Sequence, residues 1–330
     1  MLMAYALTPA GPQPLSDVTA ADEDGRVGWI DLLAPTPEED KAAERFLGAS
    51  IPTREEAQEI EFSSRFYTED GVLFLSVSII AGVDARKPML TPLTFAISKS
   101  QRLATVRYDD FAAFRQFLAR STKSGSGCND ANGVTLTLID AIIDRIADVI
   151  ERTGSEIDRL NREIFGREGR KTGQGKRRER RLESYLGQIG VQNDIVSKTR
   201  ESLASVERML QFLSASTIGP PANKGEAGQL KQMSRDVRSL TDHLSFLSNR
   251  ATFLLDATLG LISVQQNDVI RIFTVVATIL LPPTLIGTIY GMNFIHMPEL
   301  DWVFGYPLAI GVMVASALVP YFILKGRGWF

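Results

Sequence analysis

The side chains best suited to binding chemistry lie close to the C-terminus and carry amide or carboxylate oxygen atoms. Asn293 follows Gly291 and Met292 at the end of a long uncharged run, and Glu299 and Asp301 come shortly after it. Amide and carboxylate oxygens accept hydrogen bonds from water, and carboxylates raise the local concentration of cations. These residue types therefore favour the handling of a cation over the breaking of covalent bonds.

The rest of the sequence contains no recognisable enzyme motif. One cysteine and two histidines are too few for an intramolecular disulfide or a dedicated zinc site. Residues 125–130 lack the last glycine of a dinucleotide-binding fingerprint, and residues 169–176 lack the spacing and hydroxyl of a phosphate-binding loop. We therefore predict no catalytic residues and no bound cofactor. The net charge of -3 also argues against nucleic acid as a partner.

Two apolar runs near the C-terminus are long enough to cross a membrane. Residues 272–290 and 303–324 carry no charge, and only six charged side chains lie beyond residue 267. A spanning helix needs roughly 20 apolar residues. Such a run can also be a buried core helix, but the charged remainder offers no core for two of them. We predict spans over about 270–291 and over 303–325, an external loop at 292–302 and a tail at 326–330.

The charges beside the two spans predict their orientation. Arg271 precedes the first span, and Lys325 and Arg327 follow the second, whereas the loop between them contains no lysine or arginine. Because positive charge at membrane ends favours the cytoplasm, both termini are predicted inside the cell inner membrane, with an acidic loop outside. Two helices per chain cannot enclose an aqueous path, so a transport function would require several copies around one axis.

The region before the spans is predicted to be α+β and then helical. Residues 1–130 form a cytoplasmic α/β domain with strands at residues 3–7, 27–31, 72–80, 94–97 and 102–107. Thr36 with Glu39, and Thr53 with Glu56, have the spacing of capping boxes at helix starts. Long antiparallel helices follow within residues 131–223, at about 134–165 and 176–214. A stalk helix over 224–291 begins near residue 225 and continues into the first span.

A basic segment separates the first two long helices. Residues 167–181 contain eight lysines or arginines, and the helix directions predict this turn near the inner leaflet. It could contact anionic lipid headgroups, at about 1 kcal/mol per basic residue, or be a solvated turn. Nucleic acid is disfavoured here as well, since no aromatic side chains are interleaved for base stacking.

The end of the first span carries the most specific motif. Residues 290–294 read YGMNF, the loop contains MPEL, and the second span opens with FGYP. With PTREEAQEIEFSSRFYTEDG near the N-terminus, these segments resemble the CorA family of magnesium channels. The resemblance implies a homopentameric, funnel-shaped Mg2+ channel whose pore is lined by the first span and gated by intracellular Mg2+. Cobalt and nickel are further candidate ions.

The resemblance also implies a site for each step of permeation. Gly291, Met292 and Asn293 would form the selectivity filter, where Asn293 oxygens accept hydrogen bonds from the water shell that Mg2+ keeps. Acidic residues of the outer loop would attract the cation. One helix face then leads inward through Thr288, Thr284, Leu281, Ala277, Phe273, Ile270, Asn267 and Asp256. Leu281, Phe273 and Ile270 suit either a hydrophobic gate or plain helix packing. Asp236 and Asp242 are candidate regulatory Mg2+ ligands.

Departures from the family pattern leave two alternatives open. Ile295 stands where the family often has glutamate, and the neighbouring His296 is either a ligand for a softer metal or a plain loop residue. One alternative is a zinc transporter of the same superfamily, although such relatives usually carry Gly-Ile-Asn. The other is a membrane-anchored sensor or scaffold, which would not need a polar face through its span.

Overall fold

The computed structural model describes residues 1–15, 25–59, 61–85, 87–121, 127–166, 175–292 and 302–328, without the side chains of 62 and 175–180. The chain forms two compact units. The sheet unit consists of Met1–Gly166 and Tyr185–Leu254, and the span unit consists of Arg167–Ser184 and Leu255–Phe330. The α+β class with long helices and two apolar C-terminal helices is confirmed. The finer division into domains stays a prediction.

The sheet unit is built on seven strands. They are β1 (Leu2–Thr8), β2 (Gly11–Leu15), β3 (Trp29–Leu33), β4 (Phe66–Glu69), β5 (Val72–Ala81), β6 (Met89–Ser98) and β7 (Leu103–Arg107). Their order in the sheet is β2-β1-β3-β7-β6-β5-β4. Among these described strands only β3 and β7 run parallel, with Trp29 opposite Leu103, and the other neighbouring pairs are antiparallel.

The sequence predicted the five inner strands and missed β2 and β4. Both missed strands lie at the edges of the sheet. The β2 segment contains two prolines, Pro12 and Pro14, which cannot donate to a ladder and are tolerated only at an edge. The β4 strand has only four residues. The strand predicted at 27–31 is displaced, since β3 pairs from Trp29 to Leu33.

Local capping explains where the first helices begin. The sheet unit contains α1 (Pro37–Leu47), α2 (Arg54–Ala57), α3 (Phe62–Arg65), α4 (Ala112–Ser121) and α5 (Ala131–Phe165). Both predicted capping boxes are confirmed, because the side chains of Thr36 and Thr53 accept from the backbone N–H groups of Glu39 and Glu56. The Asp130 carboxylate caps α5 by accepting from the Gly133 N–H at 2.7 Å.

Two more long helices follow α5 along the chain. After α5 come α6 (Gly175–Ala215) and α7 (Lys224–Tyr290), the latter 67 residues long. Within the sheet unit α5 and α7 run in the same direction, since Asn132 bonds Glu226 and Asp158 pairs with Arg250. Val237, Leu244 and Leu247 follow one another at steps of seven and three residues and are buried, so they form an apolar face of α7.

An interrupted edge of β5 is covered by side chains. The register between β4 and β5 ends where Phe66 faces Leu75, so within the described part of the chain no strand pairs with the later residues of β5 on that side. Helix α6 supplies the acceptors: the Ser78 N–H donates to Ser205 Oγ at 3.0 Å, and the Ile80 N–H to Ser202 Oγ at 3.3 Å. These bonds tie α6 to the sheet and satisfy buried donors that would otherwise be costly.

The span unit contains the end of α7 and helix α8 (Gly305–Gly326). Both helices are long and apolar enough to cross a membrane. They run antiparallel, because the Arg271 guanidinium donates to the Gly328 carbonyl near one end and Gly287 lies against Met313 further along. Pro282 and Pro283 lie within α7 without ending the helix.

Candidate cation pathway

The predicted pore face lies on one continuous helix and is exposed in the single chain. Thr288, Thr284, Leu281, Ala277, Phe273, Ile270, Asn267 and Asp256 all belong to the α7 part of the span unit, and each is exposed. For Leu281 and Phe273 the exposed fraction reaches 72%. At 3.6 residues per turn these eight positions share one side of the helix.

The opposite side of α7 is the side that packs within the chain. Val275 is 7% exposed, and a Cβ atom at Gly287 would lie 3.3 Å from Met313 Cε of α8. Small residues at such a contact let two helices approach closely in a membrane. The contact with α8 therefore leaves the predicted pore face available for other partners.

The threonine hydroxyls of the span donate their hydrogens to backbone carbonyls of their own helix. Thr288 Oγ1 donates to the Thr284 carbonyl, and Thr284 Oγ1 donates to the Leu280 carbonyl, each at 2.8 Å. Thr274 and Thr278 likewise donate to the backbone carbonyls four residues earlier, those of Ile270 and Thr274. A hydroxyl that has donated its hydrogen presents only lone pairs outward. The threonine oxygens on this face can therefore accept hydrogen bonds from water. The water molecules around a cation point their hydrogens outward and can donate such bonds.

The predicted filter begins where α7 ends. The Gly291 N–H is shared between the carbonyls of Gly287 and Thr288, at 3.0 and 3.2 Å, and the Met292 N–H bonds the Ile289 carbonyl at 3.2 Å. These bonds close the last turn of the helix. Asn293, Ile295, His296, Glu299 and Asp301 lie outside the described residues.

The candidate regulatory acids lie on α7 in the sheet unit. Asp236 is exposed and accepts from Gln232 Nε2 at 2.9 Å, and Asp242 is exposed as well. Across the described part of the chain, no three His, Cys, Asp or Glu side chains are arranged to hold a metal ion. The predicted regulatory role of Asp236 and Asp242 stays a prediction.

Helix α5 contributes carboxylates that sequence reasoning missed. Partial burial raises the pKa of Asp140, and the nearby carboxylates of Asp144 and Asp236 raise it further, against the opposing charge of Arg120. Asp236 therefore shares its surroundings with like charges of α5. The spacing of Asp140 and Asp144, one turn apart on a helix, was the available signal.

Asp84 is another acid that sequence reasoning did not select. It accepts from Arg145 Nη2 at 2.6 Å and from Arg152 Nη1 at 2.7 Å, and these bonds hold the pKa of its carboxyl below the usual range. Its two partners lie two helical turns apart on α5, so this acid is already neutralised within one chain.

Part of the predicted basic segment also lies outside the described residues. Residues 167–174 are not described, and neither are the side chains of 175–180. Contact between this segment and lipid headgroups therefore stays a prediction from sequence.

Comparison with known proteins identifies the family over nearly the whole chain. Residues 24–325 match the family described as CorA-like Mg2+ transporter protein. The magnesium transport protein CorA of Pasteurella multocida (strain Pm70) is 36% identical over 330 residues, covering 100% of both chains. That of Escherichia coli (strain K12) is 35% identical over 301 residues, covering 91% of each chain.

Solved structures agree on the fold. The complete structure of the CorA magnesium transporter from Methanocaldococcus jannaschii matches with a TM-score of 0.74 at 18% identity, over 100% of this chain and 99% of that one. The ZntB cytoplasmic domain from Vibrio parahaemolyticus RIMD 2210633 matches less well, with a TM-score of 0.52 at 11% identity, over 78% of this chain and 97% of that one. At these identities the structural matches show the fold alone.

These findings bear out the predicted family, magnesium as the transported ion and a two-span protein of the inner membrane. They also make the chain a transport protein and not an enzyme. The chain belongs to the CorA family of magnesium transporters.

Proposed function

We propose that this chain forms a homopentameric channel through which Mg2+ enters passively, with the exposed face of α7 lining the pore. One observation carries the proposal. The face predicted to line the pore is exposed in the single chain, whereas the opposite face of the same helix packs on α8. Two spans cannot surround water by themselves, so copies arranged around an axis would supply the remaining walls.

The chemistry of this face suits a cation that keeps its water. Mg2+ sheds its hydration shell reluctantly, and its waters direct their hydrogens outward. Thr284 and Thr288 have donated their own hydrogens to the helix and can only accept. Rings of such acceptors would stabilise the hydrated ion without stripping it.

The outer entrance in this proposal is the ring of Asn293. An amide oxygen accepts from hydrating water without the tight grip of a carboxylate. Glu299 and Asp301 in the outer loop would concentrate cations before they enter. Co2+ and Ni2+ belong to the proposal as further ions, because they also carry octahedral water shells.

The gate in this proposal is apolar. Leu281, Phe273 and Ile270 have large exposed side chains on the same face. A ring of such side chains at a narrow point excludes water and thereby ions. Binding of cytoplasmic Mg2+ near Asp236 and Asp242 would favour this closed state. The membrane potential supplies the driving force, about 4.6 kcal/mol for a divalent cation at 100 mV.

Liposome flux tests the proposal. We would record Mg2+ entry with an internal indicator dye at low internal Mg2+, for the unmodified chain, Asn293→Ala and Asn161→Ala. The proposal expects entry to disappear in Asn293→Ala while the oligomer stays intact. The control Asn161→Ala, in the sheet unit, should conduct normally.

Other outcomes would redirect the assignment. Mg2+ flux that is unchanged in Asn293→Ala would support transport but contradict the assignment of Asn293 to the filter. The absence of Mg2+ flux in every variant, with Zn2+ flux in its place, would favour the zinc transporter. The absence of flux of either ion through an intact oligomer would favour the anchored sensor or scaffold.

A further inference from the structure

Arg65 is a buried cation whose hydrogen-bond partners, among the described residues, are all neutral. It ends α3 and is 9% exposed. Its Nε donates to the Ser76 carbonyl at 3.2 Å, and its Nη2 donates to Ser78 Oγ at 2.6 Å and to Ser205 Oγ at 3.4 Å. Among the described residues, no carboxylate lies within 4.0 Å of the guanidinium. A buried charge that only neutral groups contact is incompletely compensated.

Arg107 shows how the same fold treats a buried arginine that has a partner. It is 5% exposed, and its Nη2 donates to Asp31 Oδ2 at 2.9 Å while its Nε contacts both carboxylate oxygens. The guanidinium also lies 4.0 Å from the ring centre of Phe114. Among the described residues Arg65 has no carboxylate within 4.0 Å and no such ring contact, and Glu201 acts on it only from a greater distance. The contrast leaves room for an anion to bind beside Arg65.

The guanidinium borders a cavity with part of its donor set unused. Its Nη1 makes no hydrogen bond to any described residue. Arg65 lines a cavity of about 310 Å³ together with Ser78, Ser205 and Arg208. A guanidinium offers five N–H donors in a fork that matches the oxygens of a phosphate. The Nη1 hydrogens are the donors left for such a group.

The charged residues around the cavity differ in burial, with Arg65 buried and the others exposed. Burial lowers the pKa of Arg65, the field of Glu201 opposes this and the charge of Arg208 reinforces it. Arg208 is exposed and lies one turn after Ser205 on α6, so two arginines border one cavity. Glu59 and Glu201 also line the cavity. Both acids and Arg208 are exposed, so water weakens the charges of all three, whereas Arg65 is buried.

We propose that this cavity is a binding site for a small phosphate-bearing anion, held by Arg65 from below and Arg208 at the mouth. The cavity volume lies at the lower end of the range for ligand sites. That volume has room for inorganic phosphate or a small phosphomonoester. The site belongs to the sheet unit and does not depend on the pore assignment.

Titration calorimetry on the full chain in detergent tests the proposal. Inorganic phosphate is added in magnesium-free buffer, with ionic strength held constant by chloride. We expect saturable binding of one phosphate per chain. Arg208→Gln should weaken it about tenfold, the loss expected for one charge-assisted hydrogen bond. The control Arg200→Gln removes an exposed arginine of the same helix that does not line the cavity, and it should bind normally.

Further variants separate the site from general attraction of anions. Glu201→Gln removes a competing negative charge and should tighten binding several-fold. Arg65→Gln should abolish binding, and its circular dichroism spectrum establishes whether it folds. A parallel titration with glycerol phosphate distinguishes a phosphomonoester site from one that accepts only the free ion. The proposal fails if phosphate binding does not saturate, or if Arg208→Gln and Arg200→Gln weaken it equally.

Discussion

The sheet unit and the span unit treat the same residue types in opposite ways. In the sheet unit Phe74 and Phe95 are fully buried, and the charge of Arg107 is met by Asp31 inside the chain. In the span unit Phe273 and Leu281 are mostly exposed, and threonine hydroxyls bond back to their own helix. The sheet unit thus satisfies its side chains within one chain. The span unit relies on lipid and, in our proposal, on other copies.

The difference shows that burial within one chain is the wrong measure of importance for α7. An exposed leucine in a water-soluble fold is usually neutral, whereas an exposed leucine on a spanning helix faces lipid, another helix or a pore. Substitutions should therefore separate stability from transport, unit by unit.

The largest effect should come from matched phenylalanines. Phe74→Ala removes a fully buried ring from the sheet and should lower the free energy of unfolding by about 3–5 kcal/mol. Phe273→Ala should change it by less than about 1 kcal/mol, because its ring has few neighbours in the chain, and should instead raise Mg2+ leak. Denaturant unfolding and liposome flux measure the two quantities. Equal destabilisation by both substitutions would contradict the comparison.

The buried ion pair should give a loss of similar size. Asp31→Ala leaves the buried Arg107 with only the exposed Asp110, at 3.4 Å, as an acid partner and should cost about 3–5 kcal/mol. The double variant Asp31→Leu with Arg107→Met removes both charges and should recover most of this loss. Denaturant unfolding of the single and double variants tests whether charge rather than packing causes it. A double variant as unstable as the single one would refute that cause.

A threonine on the predicted pore face should affect transport and not stability. Thr284→Val keeps the shape of the side chain but removes the acceptor oxygen, so Mg2+ flux should fall several-fold while the unfolding midpoint is unchanged. Ser316→Ala on α8, whose hydroxyl donates to the Met313 carbonyl, is the control and should conduct normally. Equal flux in the two variants would remove Thr284 from the pathway.

The smallest effect concerns Asp140 and depends on pH. Because its pKa is raised in the folded chain, the folded state favours the protonated carboxyl, and this contribution is lost as pH rises through that pKa. Asp140→Asn keeps the neutral form at every pH. It should stabilise the chain by about 0.5 kcal/mol or less at pH 7, since solvent screens the site, and leave stability unchanged well below pH 4. Unfolding midpoints at the two pH values measure the difference, and a stabilisation that is independent of pH would contradict it.

Features that depend on neighbouring residues were predictable from the sequence. The capping boxes at Thr36 and Thr53 use partners three residues away, and their helices begin there. The long helices were placed to within a few residues because the helical repeat of apolar residues, and the Gly-Pro-Pro break at 219–221, are visible in the local sequence. The spans followed from composition alone.

Features made by distant residues were not predictable. The bond between Arg65 and Ser205 joins positions 140 residues apart, and the pairing of Asp31 with Arg107 joins positions 76 apart. The edge strand β2 was missed because its prolines are tolerated only where no further strand pairs, and that depends on its place in the sheet.

The family, the two spans, the helix starts and the residues on each helix face could be predicted without a structure, because they depend on composition and on contacts close along the chain. Which face of α7 packs on α8, and which is exposed, became known from the fold. The fold also showed which acids lie together and which buried arginine, among the described residues, has no carboxylate within 4.0 Å. Those outcomes depend on side chains that folding brings together from distant parts of the chain.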